Sequence, residues 1–416
     1  MSQLKLLTYS RETEHVSMCT SCRGFRRLCG KPICPILIKA EATVELDKIL
    51  KEDIFGSSPP AVFVGSWGYP KVLAGPLIPP IVGEETAIMD SPEMWLDKRI
   101  EDLLRYRFSL VRGKTAVKVT SAQNPDRMLQ TVQEIVMASR PTETEAVFTK
   151  KPRLEIMFSP REVPVGPSAT IEKLKVTTNP SIPRKIDSVV GDTDLKAIEG
   201  MVDLYDAMVP QRQITRLLSI GLLGTKKRRR LVPTEWSITA TDDILGKKLH
   251  KEVTRFPWIN EFMVVGHEAL HNNVQALFLP SSWMFEALEC WLIGPSPHPD
   301  SDHELFHGRT TYASTVGGAY YATRLPVLEY LKHIKRQAAI VTLLEVKKEW
   351  IPLGVWRVRE ILREATKKPP FKANSLKDAL NELGKHLTLP LPNWTSRSKV
   401  LEIFRKQEKI TSWLKT

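Results

Sequence analysis

The chain has 416 residues, of which 42 % are hydrophobic and 26 % charged, a globular mix rather than a disordered one. Its net charge of +13 favours polyanionic partners, nucleic acid ahead of anionic membrane. No apolar run reaches the roughly 18 residues that span a bilayer. The N-terminus MSQLKLLTYSRETEH lacks a signal peptide's apolar core and cleavage site, so a cytoplasmic location without a membrane partner is expected.

The first element is a cysteine cluster, Cys19-x2-Cys22-x6-Cys29-x4-Cys34. Four thiolates so close together can shell a zinc ion tetrahedrally, tying down a segment too small to fold alone. An iron–sulfur cluster is the alternative cofactor, because Pro35 follows the last cysteine. Arg23, Arg26 and Arg27 inside the cluster can reach phosphates. The fifth cysteine, Cys290, stands alone in an apolar stretch.

Residues 45–55 read as a short helix, and Ser57-Ser58-Pro59-Pro60 as a break. The stretch 61–81 alternates β-branched and aromatic runs with Gly and Pro, which predicts two strands and tight turns. Ser91-Pro92-Glu93 predicts a helix start. A helix is expected over 127–139, a loopy β-rich stretch over 150–190, and amphipathic helices over 194–208 and 212–223.

The basic run Lys226, Lys227, Arg228, Arg229 and Arg230 follows. Such runs usually lie solvated, and this one is the candidate for sequence-independent DNA contact. A turn and a new helix are expected near Asp242. Asp242 and Asp243 can hold a metal or orient a phosphate, but would point about 100° apart on a helix. Capping a helix N-terminus is the plainer role.

Two segments match H-E-x-x-H, His267 to His271 and His303 to His307. On a helix such histidines share a face and bind zinc, with Glu activating water. Asn272-Asn273 and the strand-like run 274–279 predict a β segment instead, which puts i and i+4 about 13 Å apart. His298, Asp300, Asp302, His303, Glu304 and His307 are a candidate divalent-metal set on a Pro-rich loop. Arg309-Thr310-Thr311-Tyr312 and Gly317-Gly318-Ala319-Tyr320-Tyr321 precede a long helix, where an anion pocket or a plain turn both fit. Helices are expected over 320–346, 356–367, 375–386 and 397–405, with a Pro-rich bridge at 389–392.

The chain ends QEKITSWLKT. One helical turn brings Ile410, Trp413 and Leu414 to one side, an apolar plug with the Gln407 amide beside it. This resembles the clamp-interacting peptide of DNA replication and repair proteins. The plainer alternative is a last turn packed on the chain's own core.

Further blocks are FVGSWGYPKVLAGPL, KKRRRLVPTEWSITATDD, GRTTYASTVGGAYYATRLPVLEYL and PLGVWRVREILREA. With CTSCRGFRRLCGKPICP and the tail, they resemble the archaeal Nre family of DNA-repair proteins over nearly the whole chain. The resemblance implies a DNA-damage-response role, a four-cysteine N-terminal element and binding of the sliding clamp. It supplies no catalytic residue. The expected class is α+β: a multi-domain chain with a small N-terminal metal knuckle and a mostly helical C-terminal part. The expected divisions are 1–44, 45–257, 258–390 and 391–416. Expected partners are the clamp, DNA and excision-repair enzymes. The competing function is a metal-dependent enzyme acting on DNA or a nucleotide, sited at 298–309 or near Asp242 and Asp243. A zinc protease would need His267 and His271 on one helix face.

Overall fold

The computed structural model describes residues 48–153, 166–293, 296–351 and 353–406, and also Cys34, Leu37, Ile38, Glu41, Val44 and Leu46. Two compact units emerge, Met1–Thr241 with Ile351–Gly354, and Asp242–Trp350 with Val355–Thr416. The expected α+β class holds, because each unit is built on one mixed six-stranded sheet accompanied by helices.

In the first unit the strands are β1 (Asp53–Ser58), β2 (Val62–Val64), β3 (Lys71–Ile78), β4 (Val111–Lys118), β5 (Thr142–Phe148) and β6 (Ser168–Val176). Their order is β1-β5-β6-β4-β3-β2, with β4 and β6 parallel and the other neighbours antiparallel. Ile54, Ile78, Val111, Ala146, Phe148 and Ile171 form a core from five of these strands. The helices are α1 (Ile100–Ser109), α2 (Arg127–Met137), α3 (Arg184–Gly191), α4 (Ala197–Asp206) and α5 (Gln211–Ser219). Helix α2 starts where Asp126 accepts the Leu129 amide at 2.8 Å, and it buries Leu129, Val132, Ile135 and Val136 on one face.

Two expectations fail here. The helix expected over 45–55 gives way to a turn at Lys48 and Ile49, and Asp53 opens β1. Gly56 belongs in that strand because a Cβ there would sit 1.8 Å from the Pro79 carbonyl oxygen. Ser91 does not start a long helix either. Its hydroxyl donates back to Ala87 O at 2.6 Å rather than capping, and only a 3-10 turn, Pro92–Met94, follows.

The division between units falls within helix α6 (Thr234–Val253). In the second unit β7 (Phe262–Ala269), β8 (Asn272–Leu279), β9 (Met284–Trp291), β10 (Asp300–Glu304), β11 (Ala339–Val346) and β12 (Phe371–Ala373) take the order β10-β9-β11-β8-β7-β12. Strands β9 and β11 are parallel, and both β8 and β11 are buried along their whole length. That fits central strands covered on both faces. The helices are α7 (Gly318–Ile334), α8 (Trp356–Lys367), α9 (Leu376–Lys385), α10 (Leu391–Thr395) and α11 (Lys399–Lys406). The expected helix over 320–346 is therefore two elements. It stops at Ile334, where Lys335 turns left-handed with φ 52°, and 339–346 is a strand. After β11 the elements among the described residues are helices apart from β12, as expected of the C-terminal part.

One face of this sheet carries Val264, Leu277, Met284, Leu288, Val341 and Leu343, packed against Leu383, Trp394, Val400 and Leu401 of the last helices. Two carboxylates share that face. Glu286 accepts the Ser398 hydroxyl at 2.6 Å and the Lys399 and Val400 amides at 2.9 and 3.0 Å. Glu345 accepts the Leu389 amide at 2.8 Å and the Thr388 amide at 2.9 Å. Glu286 takes the first two amides of α11, which a helix start leaves unpaired, and Glu345 takes the two amides of the segment leading into α10. They fix where the final helices begin.

Candidate functional site

The second unit holds a cavity of ≈ 180 Å³. Asp243 and Lys247 line it from α6, Glu304 from the end of β10, and Tyr320 and Tyr321 from the first turn of α7. The segment Arg309 to Tyr312 closes the ring. The basis is the two-residue alternation of β10, which turns Asp302 and Glu304 inward and His303 outward. Asp302 then organises the loop. It pairs with Arg309 at 2.9 Å and accepts the Thr315 and Val316 amides at 2.9 and 2.8 Å. Arg309 also donates to the carbonyls of His303, Thr311 and Tyr312 at 3.0–3.2 Å. It is a strut for the loop as well as a wall of the cavity.

Glu304 is 4 % exposed and accepts the Trp283 indole N–H at 2.9 Å and Arg324 Nε at 2.7 Å. Burial, reinforced by Glu304, pushes the Tyr320 phenol far above the usual tyrosine range, and burial also raises Tyr321. Both stay neutral hydroxyls, and Tyr321 accepts the Ala313 amide at 3.0 Å. His250 lies just outside. Burial and then Arg324 hold it below the ordinary histidine range, and its Nε2–H donates to Phe306 O at 2.9 Å. Asp243 and Lys247 pair at 2.6 Å one helical turn apart. The walls thus offer hydroxyls and paired charges of both signs. The volume falls below the about 300–1,000 Å³ of ordinary ligand pockets, which suits one small ring and not a whole nucleotide.

The structure joins Arg309, Thr310, Thr311 and Tyr312 with Tyr320 and Tyr321, two stretches the sequence set side by side as a possible pocket. It separates Asp242 from Asp243. No helix begins there; α6 starts eight residues earlier, at Thr234 after Pro233. Asp242 is mid-helix, 2 % exposed and paired with Arg359 of α8 at 2.5 Å, so it neither caps nor binds a ligand. The two His/Glu motifs lie off helices. His267 and Glu268 are in β7, and Leu270 and His271 form its turn to β8 with φ 50° and 57°. The helix face a zinc protease needs is absent. The set from His298 to His307 is split by the alternation of β10, and no metal-holding group of three His, Cys, Asp or Glu occurs among the described residues.

In the basic run, Lys226, Lys227, Arg228 and Arg230 are exposed. Arg229 turns in, donating to Gly224 O at 2.9 Å and Val190 O at 2.6 Å. Burial lowers its pKa. Of the cysteine cluster, Cys34 is described, a half-buried free thiol, while Cys19, Cys22 and Cys29 lie outside the described residues. Gln407, Ile410, Trp413 and Leu414 of the tail lie outside them as well. Sequence reasoning passed over Trp67 and Tyr69. The turn GSWGYP offers no strand face to bury them, and that was the available signal. No helix among the described residues is long and apolar enough to cross a membrane.

Family models for Archaeal Nre, N-terminal, and Archaeal Nre, C-terminal, match residues 28–295 and 304–413. The DNA repair protein NreB of Archaeoglobus fulgidus is 36 % identical over 94 % of this chain and 98 % of its own length. The DNA repair protein NreA of the same organism is 36 % identical over 87 % of this chain and 92 % of its own. NreA of Haloferax volcanii is 33 % identical over 83 % and 86 %. No solved structure matches. With both halves matched in order, and relatives aligned over nearly their full length, the chain belongs to the archaeal Nre family.

Proposed function

We propose that this chain is a cytoplasmic DNA-repair factor of the DNA damage response, tethered to the sliding clamp by its tail and touching DNA through the first unit. The observation that carries the DNA contact is the basic run. Four of its cations are exposed while Arg229 pins the segment to the fold. Cations held at fixed points can replace the counterions of a phosphate backbone. The relatives' names as DNA repair proteins support the role. The tail supports the tether: Ile410, Trp413 and Leu414 plug a pocket and Gln407 bonds at its edge. Tethering then raises the local concentration of the basic unit at DNA. Excision-repair enzymes are the expected further partners. Cys19, Cys22, Cys29 and Cys34 make a donor set suited to zinc, with an iron–sulfur cluster as the alternative; metal analysis of the purified chain separates them.

The test of the DNA contact is reversal of the exposed charges, Lys226→Glu, Lys227→Glu, Arg228→Glu and Arg230→Glu together. Affinity should fall and the salt slope flatten by about 0.9 per lost phosphate contact on duplex. Unchanged binding would remove the run from the mechanism. A second reading, an enzyme acting on a single base of DNA or of a nucleotide, is favoured by the cavity at Asp243, Glu304 and Arg309, which has room for one small ring. Calorimetric titration with nucleosides tests it, and absence of binding discards it.

A further inference from the structure

Three aromatic side chains of the first unit stand in water. Trp67 is 90 % exposed, Tyr69 46 % and Trp236 47 %. An indole so exposed contributes almost nothing to the fold's core, and exposed aromatics grouped together mark contact surfaces. These are grouped by the backbone. The Tyr69 and Trp236 rings lie 5.3 Å apart at 50°. Trp236 is set there by the start of α6, where the Thr234 hydroxyl accepts the Val64 amide of β2 at 2.9 Å. Trp67 and Tyr69 sit in the tight connection from β2 to β3, closed by Lys71 N to Gly68 O at 3.0 Å.

The same place collects cations. Lys71 and Lys118 are cross-strand partners at the ends of β3 and β4. The Val119 amide bonds Pro70 O at 3.0 Å, and the Leu231 amide bonds Val119 O at 2.9 Å. That chain of bonds runs the end of the basic run beside the aromatic turn. Gln123 Nε2 holds Lys227 O at 2.9 Å. Segments 65–71, 115–123 and 225–236 expose Lys71, Lys118, Lys226, Lys227, Arg228 and Arg230, against Glu235 as their one carboxylate.

We propose that Trp67, Tyr69 and Trp236, flanked by these cations, form a stacking surface for single-stranded DNA. The proposal rests on the reading that the first unit contacts DNA, and it specifies which form. Cations alone do not distinguish duplex from open strand. Rings do, because base faces are covered in a duplex and free in a single strand. Stacking accepts every base, so the surface takes single strands without sequence preference, with strong salt dependence.

The test uses the full chain with an oligothymidylate of about 16 nucleotides and with a duplex of the same length, followed by fluorescence anisotropy. Indole fluorescence should be quenched by the oligothymidylate. Trp67→Ala and Trp236→Ala together should weaken single-strand binding by about tenfold or more while duplex binding changes little. Trp67→Phe with Trp236→Phe should restore it, and the retained duplex binding of the Ala variant reports an intact fold. Equal loss on both forms, or no loss on the single strand, overturns the proposal. If reversal of the basic run still weakens DNA binding in that case, the DNA reading itself survives. Should the intact chain bind neither form at low salt, both fall together, and only the clamp tether is left.

Discussion

The last helix before the tail is held by one buried carboxylate, which makes Glu286 the sharpest place to perturb the second unit. Glu286 is fully buried and receives three donors, the Ser398 hydroxyl and the Lys399 and Val400 amides. Glu286→Gln keeps the shape but replaces one acceptor oxygen with an amide that donates. At least one buried donor then faces another donor, at a cost of about 1–3 kcal/mol. Because α11 ends the described chain and its start depends on these bonds, the loss should appear first as local opening. Amide exchange across 399–406 should quicken by about tenfold to a hundredfold. Glu286→Ala strips all three acceptor contacts and should lower the melting temperature by several degrees, at about 2–4 °C per kcal/mol. The assay is hydrogen exchange read by mass spectrometry on peptides covering β9 and 396–406. Unchanged exchange at 399–406 would refute the anchoring role. So would acceleration spread evenly over the sheet.

Two further outcomes follow from ionisable groups withdrawn from water, Asp242 fully and Glu289 in part. Asp242→Asn should cost about 3–5 kcal/mol by leaving the Arg359 guanidinium buried without its carboxylate, and Asp242→Leu with Arg359→Met should recover most of it in denaturant melts. Failure of the double variant to recover would mean the pair does more than balance its own burial. Glu289 gives a pH signature. Burial pushes its carboxyl up to about 7, although Arg357 pulls the other way. A raised carboxyl holds its proton more tightly folded than unfolded between about pH 4.5 and 7. Its stabilising contribution is therefore present at low pH and lost as pH rises through 7. The stability of Glu289→Gln relative to the natural chain should rise across that window, by up to about 3 kcal/mol, and a flat difference would contradict it.

Legibility in the sequence followed the strength of the local signal. Helix α8, 356–367, was readable because its apolar positions recur at helical spacing over twelve residues. Helix α9 was readable through Ser375, which accepts the Asp378 amide at 3.1 Å as a cap should. The run 339–346 misled because AIVTLLEV is apolar nearly throughout and periodicity cannot separate a buried strand from a buried helix. Asp242 misled because two adjacent aspartates look like a helix start. Only a partner 117 residues away, Arg359, explains a carboxylate in a helix interior. The cavity was half legible: 309–312 and 317–321 fit a pocket or a plain turn in sequence, and the structure makes them walls of one cavity. Asp243, Lys247 and Glu304 come to it through tertiary packing that no local pattern encodes. The β reading of 267–279 was correct in kind, since the Asn272-Asn273 pair opens β8 directly after a two-residue turn.

The most direct measurement is titration of purified sliding clamp with the intact chain and with a chain ending at Lys406, before Gln407. The tether predicts saturable binding by the intact chain, weakened at least about tenfold by the truncation, because Trp413 is an aromatic anchor of the kind that dominates such interfaces. Equal affinities for the two chains would contradict it and place clamp contact, if any, elsewhere in the molecule.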